Sequence, residues 1–183
     1  MKALAPLYNA VAMALHWLMA ALVLSLMLLG WLAVNQPLSP LKFDLFYWHK
    51  SLGILTLTLA VLRLLWRWLR PPPPPDPGLE GWQRRAAAAV HGLLYLLLLL
   101  MPLSGWLINS AAKFPFRVFG LFPLPHLVGP DKALQANLEL VHLIGFWCLA
   151  GLLLLHVGAA LDHHFRRRDP VLRRMLPAWG RWR

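Results

Sequence analysis

Four apolar runs, at residues 11–34, 45–62, 86–108 and 138–161, constrain this chain more than any other feature. A hydrocarbon core of roughly 30 Å is crossed by about 20 residues of helix. Runs of this length predict four spanning helices, so the fold class expected is an all-α transmembrane four-helix bundle. The second run is the least regular, because His49 and Lys50 interrupt its start. Residues 54–62 nevertheless show no polar face apart from two threonines, which argues for a span over a surface helix. Hydrophobic residues make up 59% of the chain and charged ones 14%, a balance no ordinary soluble domain needs. Helices are expected near 8–34, 43–69, 82–110 and 136–165, with a basic tail at 166–183, in one membrane-embedded domain over 1–183.

The net charge of +11 raises nucleic acid as a partner, but the positions of the charges argue against it. Arg63, Arg67, Arg70, Arg84 and Arg85 flank the second connection, and Arg166, Arg167, Arg168, Arg173, Arg174, Arg181 and Arg183 fill the tail. The first and third connections hold only Lys42, Lys50, Lys113, Arg117 and Lys132. Under the positive-inside rule both termini and the second connection are then cytoplasmic, with anionic membrane lipid as a contact. A cleaved leader is not expected, because only Lys2 precedes the first run, the run is too long, and no small-residue cleavage site follows. Cys148, the only cysteine, reads as a small buried apolar side chain. One cysteine excludes an intrachain disulfide, a thiolate iron–sulfur cluster and covalent haem attachment through C-x-x-C-H.

Pro71–Pro75 with Asp76-Pro77-Gly78 predicts a stiff extended link after the second helix. Residues 112–131 carry Pro115, Pro123, Pro125 and Pro130 and read as an irregular outer loop. Pro102 falls inside the third helix, where a bilayer tolerates a kink. A weak repeat is visible: His16 is followed after 14 residues by Gly30-Trp31-Leu32, and His91 after 14 by Gly105-Trp106-Leu107. The paired helices then begin with His49 and His142. Such hairpins relate by an axis along the membrane normal.

An ionisable side chain inside a membrane helix is costly and marks function by default. This chain places His16, His49, His91, His142 and His156 in its four runs. His142 and His156 are 14 residues apart, about 40° short of four turns, so they share a face about 21 Å apart along the axis. One helix thus offers an imidazole near each surface. Two neutral imidazoles make a six-coordinate, electron-transferring haem. His49 is the candidate at the depth of His142, whereas His156 has both His16 and His91 at similar depth. Gly53, Gly145 and Gly158 lie close to these positions and permit close backbone approach. The rival for the whole set is a haem-free transporter or scaffold bundle held by histidine hydrogen bonds, or a proton relay.

Ala14-Leu15-His16-Trp17, Trp48-His49-Lys50-Ser51-Leu52-Gly53, His91-Gly92-Leu93-Leu94-Tyr95 and Leu155-His156-Val157-Gly158-Ala159-Ala160-Leu161-Asp162-His163-His164-Phe165 resemble the bacterial cytochrome b561 family. The likeness continues through Arg168-Asp169-Pro170-Val171-Leu172-Arg173-Arg174-Met175 and covers essentially the whole chain. The chain is also similar to the membrane cytochrome subunits of nickel–iron hydrogenases and formate dehydrogenases. The resemblance implies a multi-pass protein of the bacterial inner membrane with two b-type haems. It implies His16 and His156 as iron ligands on the inner side, His49 and His142 on the outer side, and no iron for His91. It further implies exchange of electrons with quinone, and a donor that is superoxide or a redox partner protein.

The expected function is therefore a di-haem b-type cytochrome linking an outer-face donor to membrane quinone. It would act as an electron carrier or as a superoxide:quinone oxidoreductase; a haem-bearing anchor subunit of a larger dehydrogenase is the alternative. A homodimer is left open. Arg63, Arg67 and Arg70 share one face of the second helix, and Arg63, the deepest, is the candidate for a haem propionate. Lys42, Lys50, Lys113, Arg117 and Lys132 outnumber Asp44, Asp131 and Glu139 on the outer face, an excess that steers small anions. His126 reads as an ordinary loop residue. Asp162, His163 and His164 end the fourth helix near the inner surface. Histidine donates hydrogen bonds and protons near neutral pH, so His163 and Asp162, with His91, are the candidates for a quinone and proton site.

Overall fold

A computed structural model describes residues 7–176; the basic residues Lys2, Arg181 and Arg183 lie outside the described residues. Four long helices, α1 (Ala10–Asn35), α2 (Pro40–Leu69), α3 (Gly81–Ala111) and α4 (Lys132–Leu161), form an up-and-down bundle. Each is long and apolar enough to cross a membrane. Local chemistry sets their starts. The Asn9 side chain accepts from Ala12 N, Ser39 Oγ from Lys42 N, and the Asp131 carboxylate from Leu134 N. Side chains that accept from these first free N–H groups are N-caps. With Pro40 at the first position, they start α2 and α4 earlier than the expected 43 and 136. His49 and Lys50 therefore lie well inside one continuous α2, and α3 runs unbroken through Pro102.

The packing is the reverse of a soluble bundle. Large apolar side chains face outward, with Leu24 63%, Trp147 64% and Leu154 75% exposed. Small and hydroxyl residues are most of what the helices bury, among them Ala33, Ser51, Thr56, Ala60 and Ser110, beside Met19, Val23 and Leu149. Lipid makes outward leucine costless, and close helix approach favours small residues inside. Cys148 corrects the expectation of burial: it is exposed on α4, where lipid-facing apolar positions carry no penalty.

The helices pack as two hairpins, α1 with α2 and α3 with α4, joined through α2 and α3. We label the end carrying residues 112–131 outer and the opposite end inner. The outer connection is more ordered than a proline-rich loop suggests. Strands β1 (Arg117–Val118) and β2 (Phe122–Pro123) pair antiparallel around Gly120, whose φ of +72° suits glycine. Phe116, Val118 and Leu124 are buried there against Tyr47, Ile54, Trp106 and Phe119. Phe119 N donates to Ser51 Oγ, Leu127 N to Ser110 Oγ, and Trp106 Nε1 to Pro125 O, so polar ties fix this cap to the bundle.

At the inner end α4 passes into a π-helical turn, Asp162–Arg167, which closes on Arg168 in the left-handed region. Residues 169–176 then fold back over the start of α1. Trp17 Nε1 donates to Met175 O, Tyr8 N to Arg174 O, and the buried Arg174 reaches Pro74 O of the proline link.

Candidate functional site

At the outer end the His49 and His142 rings approach one another with centres 6.2 Å apart and planes inclined at 72°. Each Nδ1 is tied down. His49 Nδ1 lies 3.0 Å from Leu26 O; a carbonyl only accepts, so this nitrogen carries the proton. His142 Nδ1 lies 2.8 Å from Ser104 Oγ, and that hydroxyl donates to Met101 O, also at 2.8 Å. The hydroxyl has spent its proton on the carbonyl, so it accepts from His142 Nδ1. Both imidazoles therefore keep a free lone pair on Nε2, the tautomer a metal ligand needs.

A glycine borders each ring, and the one beside His49 is required. A Cβ on Gly30 would lie 2.9 Å from His49 Cε1, and one on Gly105 would lie 3.6 Å from His142 Cε1. These are the glycines of the repeated Gly-Trp-Leu segments, so the weak repeat marks equivalent positions in the two hairpins. Leu26 and Met101, which supply the carbonyls, correspond in the same register. Gly145 has a different task, since a Cβ there would meet Met101 Sδ, which is plain helix packing. Gly53 and Gly158 face no atom within 4 Å.

The inner end gathers more groups. The His16 and His156 ring centres are 6.2 Å apart, and those of His91 and His156 are 5.4 Å apart. Arg63 Nη2 lies 3.1 Å from His16 Nδ1. A guanidinium has only donors, so His16 Nδ1 accepts here, opposite to the outer rings. Arg63 Nε also donates to Tyr95 Oη at 3.1 Å, and Arg63 and Arg67 both lie over the Tyr95 ring. His91 is exposed at the bundle surface, whereas His16 and His156 are partly buried.

The candidates at the end of α4 are already engaged. Arg166 and Arg167 both donate to the Asp162 carboxylate. His163 Nδ1 pairs with Asp169 across the turn, leaving Nε2 as its free edge. His164 Nδ1 is buried without a hydrogen-bond partner.

Among the described residues no group of three or more His, Cys, Asp or Glu is placed to hold a metal ion. What the bundle offers is imidazoles in pairs, the donor set that suits the axial positions of haem iron. A metal bound between two imidazole nitrogens at about 2 Å each separates the ring centres by roughly 6.4 Å. The 6.2 Å of His49–His142 and of His16–His156 fits that span, and the 5.4 Å of His91–His156 falls short of it. Ser104, Leu26 O, Tyr95 and the glycine contacts escaped the sequence reading. A serine beside the repeated glycine was the one available signal.

The sequence profile of the family described as prokaryotic cytochrome b561 matches residues 7–178. The chain is 37% identical to cytochrome b561 homolog 2 of Escherichia coli strain K12, over 92% of this chain and 90% of that protein. It is 30% identical to cytochrome b561 homolog 1 of the same organism, over 89% and 93%. It is 29% identical to the protein named Probable superoxide oxidase CybB of Yersinia pestis, over 93% and 96%.

Proposed function

We propose, from the premise that this chain belongs to the prokaryotic cytochrome b561 family, that it carries electrons between an outer-face donor and membrane quinone with two b-type haems. Membership makes it a multi-pass membrane cytochrome b that binds haem b and carries electrons. The single observation behind the count of two is that pairs of neighbouring imidazoles with the same 6.2 Å spacing stand at opposite ends of one bundle. His49 and His142 would hold the outer haem, and His16 and His156 the inner one. Bound haem b supplies a reversible one-electron couple at its iron.

The protein's own residues do the rest. Leu26 O and Ser104 orient the outer imidazoles, Gly30 leaves His49 room, and the apolar helices keep water away. Arg63, which now donates to His16 Nδ1, would turn from that ring to a propionate of the inner haem, and His16 would then take the tautomer with Nε2 free for iron. Quinone is the acceptor we infer, at the inner surface, with His163 and His91 supplying hydrogen bonds and protons and Asp162, engaged by Arg166 and Arg167, holding the turn that carries His163. Superoxide is the donor we infer for the outer face, supported by the name of the Yersinia relative and by the excess of lysine and arginine there. The orientation proposed is both termini cytoplasmic, in the inner membrane.

Purified protein is expected to yield two haems per chain by acid-acetone extraction, with sharp alpha and Soret bands in the dithionite-reduced-minus-oxidised spectrum. One haem, or haem that stays with the protein on extraction, defeats the assignment. Loss of superoxide coupled to reduction of a soluble quinone tests donor and acceptor together.

A further inference from the structure

The residue after His49 is a lysine whose surroundings are unusual for a cation. Lys50 is half-buried within α2, at the seam between α2, the end of α3 and the outer cap. Its Nζ donates 2.9 Å to Oδ1 of Asn109, a neutral side chain only 4% exposed. It lies 4.5 Å from the centre of the Phe114 ring and 5.7 Å from that of Phe116. Asn109 is itself fixed, its amide donating to Phe114 O at 3.0 Å.

Among the described residues no carboxylate pairs with Lys50. The ion pairs join Asp162 to Arg166 and Arg167, and His163 to Asp169, all at the inner end. On the outer face Asp131 caps α4 and Glu139 holds Gln135. Aromatic faces and one amide oxygen offset part of the cost of a half-buried ammonium, but a charge withdrawn from water inside a membrane protein is normally matched by an opposite one. An ammonium has three donors, and one is spent on Asn109.

The level of this cation narrows the counter-charge. Gly105 borders His142, and Asn109 lies one helical turn further out on the same helix. The Lys50 side chain therefore turns back outward along α2, and its ammonium lies at the level of Asn109, one turn outward of the Gly105–His142 contact, on the α3 side. We propose that Lys50, held by Asn109, is the counter-ion for a propionate carboxylate of the outer haem. This rests on the assignment of an outer haem to His49 and His142, and gives that site a cationic partner on α2 as Arg63 gives the inner one.

The test uses the purified holo-chain carrying haem with ¹³C in its propionate carboxylates, read by redox-difference infrared spectroscopy. Isotope-sensitive carboxylate bands are assigned to the outer haem by their loss in His142→Ala. Those bands are expected to shift in Lys50→Met and to stay in place in Lys50→Arg, with the inner-haem bands unmoved in both. Outer haem is also expected to dissociate about tenfold faster from Lys50→Met, the scale of one charge-assisted hydrogen bond. Asn109→Asp supplies a competing carboxylate without removing the lysine and is expected to shift the same bands; it carries the test if Lys50→Met does not fold. Outer bands identical in wild type, Lys50→Met and Asn109→Asp overturn the proposal. A spectrum in which His142→Ala removes no haem overturns the outer-haem assignment itself.

Discussion

The two ends of the bundle hold histidine pairs of equal spacing in unlike surroundings. At the outer end both imidazoles present Nε2, each fixed through Nδ1 to an oxygen that is anchored on the backbone of the neighbouring helix. At the inner end a third histidine and an arginine crowd the pair, and the arginine donates to His16 Nδ1. The outer rings are thus set by groups that cannot turn away, whereas the inner ring shares its Nδ1 with a flexible side chain. Position within the repeat explains the difference. His49 and His142 are equivalent residues of the two hairpins, so both lead to carbonyls at matching positions, Leu26 O directly and Met101 O through Ser104. His16 corresponds to His91, not to His156, and the inner pair is built from unlike parts. Symmetry gives a rigid outer site, and its breaking leaves the inner one adjustable.

The largest effects are expected from removing a proposed ligand. His142→Ala and His49→Ala are each expected to lose the outer haem and keep the inner, and His156→Ala and His16→Ala to do the reverse, read by haem per chain and by the split of the alpha band. His91→Ala is expected to keep both. Loss of inner haem in His91→Ala with its retention in His16→Ala would exchange those two residues and undo the contrast between 6.2 and 5.4 Å.

Next comes the glycine pair, which sharpens the comparison within the outer site. A Cβ at Gly30 presses on the His49 ring at 2.9 Å, while one at Gly105 meets His142 at an ordinary 3.6 Å. Gly30→Ala is expected to displace His49 and lower outer-haem occupancy severalfold. Gly105→Ala is expected to leave occupancy unchanged and to gain up to about 1 kcal/mol of helix stability, since alanine outranks glycine in a helix. Equal losses in the two variants would show that the hairpins hold their histidines with the same clearance.

How much of this was legible in the residues themselves differs between the same two ends. The four spans and the His49–His142 pair follow from run length and depth, because helical rise ties sequence distance to height in the membrane. At the inner end height was insufficient, since His16 and His91 are level and both rings come close to His156; such candidates differ only in lateral packing, which a sequence does not encode one residue at a time. Ser104 was invisible for a related reason: its value lies in facing a ring 38 positions away. The outer hairpin β1–β2 hid behind four prolines, because its order comes from Ser51, Ser110 and Trp106 holding its backbone rather than from strand-forming residues. Cys148 misled because burial in lipid and burial in protein look alike in an apolar run.

Ser104→Ala probes the support without touching the ligand. The variant strips His142 Nδ1 of its acceptor while Met101 O stays on the helix. Partners of this kind change metal affinity by about 10–100-fold when removed. The outer haem is expected to remain present but to bind about tenfold more weakly in a Soret titration, with the inner haem unaffected. No change at either haem would mean that the ring is held by packing alone, and the outer site would lose its claim to greater rigidity.

The smallest expected effect lies at the inner surface and concerns quinone. Full reduction of a quinone takes two protons as well as two electrons, so its site needs a proton donor close to the inner pair. Of the groups at the end of α4, Asp162 is forked by two arginines and is committed to holding the π-helical turn. His163 keeps Nε2 free while Asp169 fixes its Nδ1, the arrangement that steadies an imidazole as a hydrogen-bond and proton donor. His163→Ala is therefore expected to slow quinone reduction a fewfold with both haems bound and still reducible by dithionite. Asp162→Asn is expected to act more weakly, through the turn, and His91→Ala to add to His163→Ala if the two serve one site. Unchanged quinone rates in all three variants would move the quinone to the outer face. The ordered cap would then carry both donor and acceptor, and the adjustable inner end would need another purpose.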